Sequence, residues 1–284
     1  MSFPIGIMAI YGALGVWTGL LFLAFRKGDF WRVALFGISL MLVLNIGYFV
    51  NGVPNAIAFF VGIYDVLDNL GVDSAPALAT CPGNTCSVWG EVYQNHPSWG
   101  VAFYDRFANG PASRSLLLYG HIGFNSIVFV LMHWQLARPG TAENRATHRV
   151  VGRVSFACLT LGTACAIALA LQHGPVTAYG GVLSTLGFLS MSAVVYGCAV
   201  KGVLAIRRGD SAAHRVWMIR FVGAMWGAFW LFRIMLFVLG PLLRQWDSAA
   251  ILTCIWFSAP LGVLIAEWFR TRYPRASTGG LRTA

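Results

Sequence analysis

Charged residues are scarce in this sequence, and acidic ones are scarcer than basic ones. Only 11% of the 284 residues are Asp, Glu, Lys or Arg, with 20 basic residues against 10 acidic ones. Soluble domains carry a charge on about a quarter of their residues. The shortage therefore excludes an ordinary soluble domain. The 57% hydrophobic content and a mean hydropathy of +0.67 indicate instead a protein that crosses the lipid bilayer several times.

The sequence also lacks the short motifs that accompany common chemistries. It contains no HExxH, GxGxxG, P-loop or CxxCH motif, and no Ser/His/Asp arrangement in a clear context. No internal repeat is visible, which disfavours a transporter built from inverted repeats. The N-terminal apolar run has no basic residues before it and no small-residue cleavage site, so we expect an uncleaved first span.

Seven apolar runs are long enough to cross a hydrocarbon core, which needs roughly 20 residues of helix. They lie near residues 4–25, 32–52, 115–137, 150–172, 178–203, 216–240 and 249–269. The expected fold class is therefore all-α, a polytopic membrane bundle of about seven transmembrane helices. We predict one bundle domain over residues 1–275 and a flexible cytoplasmic tail at 276–284.

Lysine and arginine alternate between rich and poor loops along the chain. The rich segments contain Arg26, Lys27 and Arg32, then Arg138, Arg145 and Arg149, then Lys201, Arg207, Arg208 and Arg215, and finally Arg270, Arg272, Arg275 and Arg282. Cytoplasmic loops carry the excess of these residues, so the C-terminus is predicted inside and the N-terminus outside. The net charge of +10 therefore indicates topology and attraction to anionic lipid rather than a nucleic-acid partner.

The loop at 53–114 is too long for a simple connection and is rich in aromatic and acidic residues. The predicted topology places it outside the cytoplasm, as a cap over the membrane surface between the second and third helices. Its CPGNTC segment has Pro-Gly-Asn turn chemistry that would bring Cys81 and Cys86 together. We expect a structural disulfide there, with a redox-active or metal-binding pair as the alternative.

Polar side chains fall into two layers when depth is counted at 1.5 Å per helical residue. The outer layer contains Asn45, Cys165, Arg233 and the pair His121 and Asn125, which are four residues apart and share a helix face. An arginine facing lipid costs about 2.5–3.5 kcal/mol on insertion scales. We therefore expect Arg233 to point into the bundle towards His121 and Asn125, with an anionic ligand or a propionate as partner. The alternative is snorkelling to the outer interface.

The inner layer is richer in charge. Its members are His133, Gln135, His148, Arg149, Arg153, His214, Trp217, Arg220 and Glu267. Helix capping is one interpretation of His148 and His214. We expect Glu267 to pair with Arg220 or Arg153. A zinc site formed by His148, His214 and Glu267 is a further hypothesis, with the two histidines as tentative metal ligands.

Histidines on several membrane helices favour a b-type haem, because axial imidazoles on facing helices hold haem in bundles. Two stacked haems would need histidines about 13 to 14 residues apart on one helix face, whereas His121 and His133 are 12 apart and turned by about 120°. One haem remains, between His148 and His214 or between His121 and His173. The candidate cofactor-binding residues are His121, Asn125, His148, His214, Trp217, Arg220 and Arg233.

Two segments resemble an uncharacterised family of predicted bacterial integral membrane proteins. HRVVGRVSF at 148–156 contains a His-Arg-x-x-Gly-Arg signature, and RRGDSAAHRVWMIR at 207–220 contains His-Arg-x-Trp-Met-Ile-Arg. The resemblance runs from about His121 to Arg270 and leaves His133 and the long cap outside the family's pattern. It implies a multi-pass bundle in a bacterial inner membrane, and it names no reaction.

Three functions stay open. The first is a membrane redox protein that holds haem or interacts with quinone through histidines on facing helices. The second is a non-catalytic subunit or assembly factor of a larger membrane complex, docked through the aromatic outer cap. The third, an anion transporter using Arg233, is disfavoured by the absence of an inverted repeat.

Overall fold

The computed structural model describes residues 5–50, 112–138, 140–141, 143–171, 182–242 and 247–272. Within these ranges the chain is helical and contains no strand. The helices are α1 (Ile5–Lys27), α2 (Phe30–Val50), α3 (Ala112–Ala137), α4 (Arg145–Leu171), α5 (Val182–Arg207), α6 (Ser211–Trp226), a π-helix (Gly227–Leu231), α7 (Phe232–Leu242) and α8 (Asp247–Arg272). The predicted Cys81–Cys86 disulfide, His173 and the tail lie outside the described residues.

The helices coincide with the seven apolar runs of the sequence. Helix α6, the π-helix and α7 form one continuous segment, so the described residues contain seven helical segments, each within five residues of its predicted bounds. Five segments are long and apolar enough to cross a membrane: Ala112–Ala137, Arg145–Leu171, Val182–Arg207, Ser211–Leu236 and Ala249–Arg272. The prediction of a multi-pass, all-helical membrane protein is confirmed at this level.

Two of the connections between neighbouring helices are the same Gly-Asp turn. Gly28 and Gly209 have φ angles of 70° and 80°, which only glycine adopts without strain, and each ends its helix. The next residues, Asp29 and Asp210, accept from the backbone N–H three positions later at 3.1 and 2.8 Å, which caps α2 and α6. Both turns therefore fold α1 onto α2 and α5 onto α6 as hairpins.

Helices α3 and α4 pack antiparallel in a register that two contacts define. At one end, Gln135 Nε2 donates to the His148 carbonyl over 3.0 Å. At the other end, His121 Nδ1 lies 3.3 Å from the Gly162 carbonyl oxygen. The same pair of helices therefore supplies residues to both polar layers.

Glycines bring α6 and the π-helix against α8. A Cβ atom on Gly223 would lie 2.5 Å from the Gly262 carbonyl oxygen, and one on Gly227 would lie 2.8 Å from Ala259 Cα. Both distances are shorter than real side chains tolerate. Gly223 and Gly227 form a Gly-x-x-x-Gly pattern, which allows membrane helices to approach at backbone distance.

An apolar cluster fills the middle of the bundle and separates the two polar layers. Its buried members are Met41, Val128, Phe129, Met132, Leu159, Val195, Cys198, Ala199, Phe221, Val222, Ala224, Met225 and Ala259. We call this set the central cluster. Because it draws on α2, α3, α4, α5, α6 and α8, the two layers are positioned by one shared core.

Candidate functional site

His214 lies in the first turn of α6, directly after the Gly-Asp turn at 209–210. Its Nδ1 atom is 2.9 Å from the carbonyl oxygen of Gly202 on α5. A carbonyl oxygen can only accept, so Nδ1 carries the proton and Nε2 has the lone pair. This pairing fixes the ring orientation and leaves Nε2 as the nitrogen that can bind a ligand.

His148 lies in the first turn of α4, at the end of the bundle where α6 begins. The His148 ring packs against Gly140, where a Cβ atom would come within 3.3 Å of its Cγ. Its Nδ1 atom is buried and has no hydrogen-bond partner among the described residues. The inner layer therefore contains two imidazoles, of which that of His214 is held by a hydrogen bond to the backbone.

Trp217 and Arg220 both lie on α6 and contact residues of α5 and α8. Lys201 Nζ and Arg220 Cζ are 4.5 and 4.6 Å from the centroid of the Trp217 ring, which is cation–π geometry. Arg220 Nε donates to Glu267 Oε2 over 3.2 Å, and Arg270 binds the same carboxylate. The predicted pairing of Glu267 with Arg220 is confirmed, and Arg270 is the second partner rather than Arg153.

The zinc hypothesis for the inner layer is wrong. Two arginines hold the Glu267 carboxylate, which is no longer available as a ligand beside His148 and His214. Across the part of the chain that the structure describes, no group of three or more His, Cys, Asp or Glu residues could hold a metal ion.

His133, which the depth count placed at the inner boundary, is buried inside the bundle. Its side chain has 0% exposure. Its Nδ1 atom donates to the Phe129 carbonyl over 2.6 Å, and its Nε2 atom accepts from Trp226 Nε1 over 3.1 Å. Both ring nitrogens are thereby used within the protein. A Cβ atom on Gly37 of α2 would lie 2.6 Å from His133 Nε2, so His133 is a packing residue.

The outer layer is built where α3 crosses α4. Asn125 Nδ2 donates to the His121 carbonyl over 2.8 Å and lies 3.1 Å from His121 Nδ1. Gly162 makes room for this amide, because a Cβ atom there would lie 2.8 Å from Asn125 Nδ2. His121 Nδ1 can donate to the Gly162 carbonyl or accept from the amide, but it cannot do both. His121 and Asn125 are thus brought together, as their spacing indicated.

Arg233 follows the π-helix by two residues and turns back along its own helix. Its Nη1 atom donates to the Phe229 carbonyl one turn earlier, and its Cζ atom is 4.5 Å from the centroid of the Phe229 ring.

Several residues that shape these layers had no place in the sequence interpretation. Gly162 and Gly202 admit the side chains of neighbouring helices, and Trp226 fixes the His133 ring. Among the glycine contacts, the sequence could have indicated only the close helix packing at the Gly-x-x-x-Gly pattern of residues 223–227. The other contacts depend on which helices are neighbours, and a single sequence does not give that information.

The helical segments and the two polar layers define a multi-pass membrane protein. A family described as “Predicted membrane protein (DUF2306)” matches residues 118–269, more than half of the chain, and the chain belongs to this family. The match begins within α3 and ends within α8 and includes both signature segments, at 148–153 and 214–220. Helices α1 and α2 lie outside it. No curated protein and no solved structure matches the chain.

Proposed function

We propose that the protein is an integral membrane redox protein that holds one b-type haem at the inner layer, between His148 and His214. The observation that carries the proposal is the hydrogen bonding of the His148 and His214 imidazole rings. The Nδ1 atom of His214 is held by the Gly202 carbonyl, which leaves Nε2 for a ligand, and the Nδ1 atom of His148 has no hydrogen-bond partner among the described residues. Axial and metal-binding histidines are oriented in the same way, by a hydrogen bond from the second nitrogen.

A bound haem supplies reversible one-electron chemistry of its iron. The chain supplies the environment. His148 and His214 would hold the haem, and neighbouring basic residues, Arg149 and Arg153 on α4 and Arg215 on α6, would offer charges for propionates. The central cluster keeps water away from the apolar side of the site.

The wider arrangement follows from the alternation of basic loops. We propose seven transmembrane helices in a bacterial inner membrane, with the N-terminus outside, the C-terminus in the cytoplasm and the segment 53–114 as an outer cap. This topology supports the haem proposal, because it places His148 and His214 on the cytoplasmic side, within reach of a soluble electron donor or acceptor.

An absorption spectrum tests the proposal. The protein is expressed with added haem precursor, purified in detergent and measured before and after dithionite. We expect a Soret band that shifts on reduction, with about one haem per chain. His214→Ala and His148→Ala lose the band, because an axial ligand is missing.

The matched control is His121→Ala, which removes the same side chain from the outer layer and keeps the band. A fully folded wild-type protein without a Soret band overturns the proposal, and so does a band that survives in both inner variants. Stoichiometric co-purification of other chains with a haem-free protein supports the alternative, a non-catalytic subunit or assembly factor.

A further inference from the structure

Two cationic side chains from different helices lie beside the indole ring of Trp217 in the inner layer. Lys201 Nζ approaches the ring from α5 and Arg220 Cζ from α6, at 4.5 and 4.6 Å from its centroid. The two helices are in close contact here, because a Cβ atom on Gly202 would lie 3.5 Å from Trp217 Cβ. One aromatic ring therefore holds two positive charges at the same place.

Most of the hydrogen-bonding capacity of these three side chains is unused. Arg220 donates from Nε to Glu267, and its Nη atoms have no acceptor among the described residues. Within the same ranges, Lys201 Nζ and the indole N–H of Trp217 also lack an acceptor. All three side chains are partly or fully exposed. They present a group of neighbouring donors at the surface of the bundle.

Positive charge is in excess around Trp217. Arg220 and Arg270 share the Glu267 carboxylate. Lys201 has no ion-pair partner in the part of the chain that the structure describes. Three cationic groups thus meet one carboxylate, which leaves an excess of two positive charges. Charges on membrane helices are costly without partners, so we expect an anion beside Lys201 and Arg220.

The contact between α5 and α8 leads to the same place. Near the outer end of α5, Trp256 Nε1 donates to the Leu183 carbonyl over 3.0 Å. Leu183 and Lys201 are eighteen residues apart, which is five helical turns, and Trp256 and Glu267 are eleven apart, which is about three turns. Each pair therefore shares a face of its helix. The seam between α5 and α8 ends at Lys201 and Glu267.

The charged end of this seam lies at the depth of lipid head groups. Lys201 is six residues from the end of α5 and Glu267 five residues from the end of α8, or about 8–9 Å along each helix. Long basic side chains reach the head groups from this depth. One turn further into the bilayer the surface is open and apolar. No atom lies within 4 Å of a Cβ atom placed on Gly197, and Leu264 is 65% exposed.

We propose that Lys201, Trp217 and Arg220 bind the phosphodiester of an anionic phospholipid, whose acyl chains lie along the seam between α5 and α8. A phosphodiester supplies the missing negative charge and several oxygen acceptors for the unused donors. Basic pockets between membrane helices bind lipid head groups in this way. A free anion would match the cations but leave the apolar surface at Gly197 and Leu264 without a partner. The lipid site shares no residue with the proposed haem site.

The two lysines of the chain allow a direct test. Lys27 and Lys201 are its only lysines, each is followed by glycine, and each lies near the inner end of its helix. The full-length protein is placed in phosphatidylcholine nanodiscs with or without phosphatidylglycerol. Its amines are methylated with formaldehyde and cyanoborohydride, and mass spectrometry measures each lysine. We expect phosphatidylglycerol to slow the methylation of Lys201 several-fold relative to Lys27, because a phosphate-bound ammonium gives up its proton less readily.

Native mass spectrometry measures the binding itself. The protein in detergent is titrated with phosphatidylglycerol, and we expect one lipid per chain to be held more tightly than phosphatidylcholine. Lys201→Gln weakens this binding about tenfold or more, because a charged hydrogen bond is lost. Lys27→Gln is the matched control and leaves it unchanged. Lys201→Arg keeps the charge and retains most of the binding, which separates the loss of charge from misfolding.

Either of two results would overturn the inference. The first is equal protection of both lysines by phosphatidylglycerol, or equal lipid binding by the two glutamine variants. It would reduce the cluster to a general attraction for anionic membranes. The second is protection of Lys201 by millimolar inorganic phosphate in nanodiscs of phosphatidylcholine alone, which would make the cluster a site for a free anion.

Discussion

Trp226 donates its indole N–H to Nε2 of His133 across 3.1 Å in the middle of the bundle. The same ring donates from Nδ1 to the Phe129 carbonyl of its own helix, so both of its nitrogens are bonded and the Nε2 bond joins α3 to α6. This bond fixes the tautomer of His133 and removes it from the set of possible ligands. It also places Phe129 and Trp226 against each other, with ring centroids 5.1 Å apart, at the boundary of the central cluster.

Trp226→Phe is predicted to destabilise the protein by about 1–3 kcal/mol. The substitution keeps an aromatic ring but leaves a buried nitrogen of His133 without its donor. Unfolding in a mixed-detergent titration measures the loss. Trp268→Phe is the matched control, because Trp268 is 49% exposed on the outer surface of α8 and should change stability by less than about 0.5 kcal/mol. Equal effects of the two substitutions would contradict the structural role of the Trp226–His133 bond.

Gly227→Ala is predicted to reduce stability by about 1–3 kcal/mol. A methyl group there meets the backbone of α8 at Ser258 and Ala259, and neither backbone atom can rotate away. The comparison is Gly197→Ala on α5, where no atom lies within 4 Å of the new methyl group. That control is expected to be neutral or slightly stabilising, since alanine favours helix. If both variants behave alike, α8 does not pack on the π-helix as the structure shows.

The sequence predicted the helices well and the contacts between them only in part. Hydropathy located the seven segments, because a helix must be apolar over the thickness of the bilayer. The four-residue spacing placed His121 beside Asn125, and the depth count placed Glu267 in one layer with Arg220. The count could not show that His133 is fully buried, because its burial depends on the Trp226 side chain of another helix.

The π-helix and the glycine contacts lay beyond a single sequence for a related reason. Nothing in Gly227–Leu231 differs from an ordinary α-helical run. The wider turn is visible only where the Phe232 N–H bonds to the Gly227 carbonyl five residues earlier. Gly162 and Gly202 likewise matter because of what approaches them, namely Asn125 and Met218.

The Glu267 carboxylate is predicted to contribute only modestly to stability. Arg220 and Glu267 are roughly a quarter exposed, and exposed ion pairs are typically worth about 1 kcal/mol or less. A double-mutant cycle with Glu267→Gln and Arg220→Gln measures their coupling, and raising the salt concentration should reduce it. A coupling of several kcal/mol would show that the pair is effectively buried, in a protein partner or in lipid.

The two Gly-Asp turns allow a sharper test of the inner layer. Asp29→Ala and Asp210→Ala each remove a carboxylate that caps the following helix, so each should cost about 0.5–2 kcal/mol of stability. Only the turn at Asp210 leads into a proposed haem ligand, His214. The backbone N–H of His214 donates to the Asp210 carbonyl over 3.0 Å. Under the haem proposal, Asp210→Ala also shifts the midpoint potential or weakens haem retention, whereas Asp29→Ala does neither.

A redox titration of both variants, followed at the Soret band, measures the midpoint potential and the haem content. The temperature of each titration is chosen so that the two variants are equally stable. The comparison works because the two turns have the same geometry, with glycine φ angles of 70° and 80° and the same capping bond. A general loss of stability therefore affects both proteins equally. An identical potential and haem content in the two variants would mean that the first turn of α6 does not orient an axial ligand, and His214 would then be a helix-capping residue.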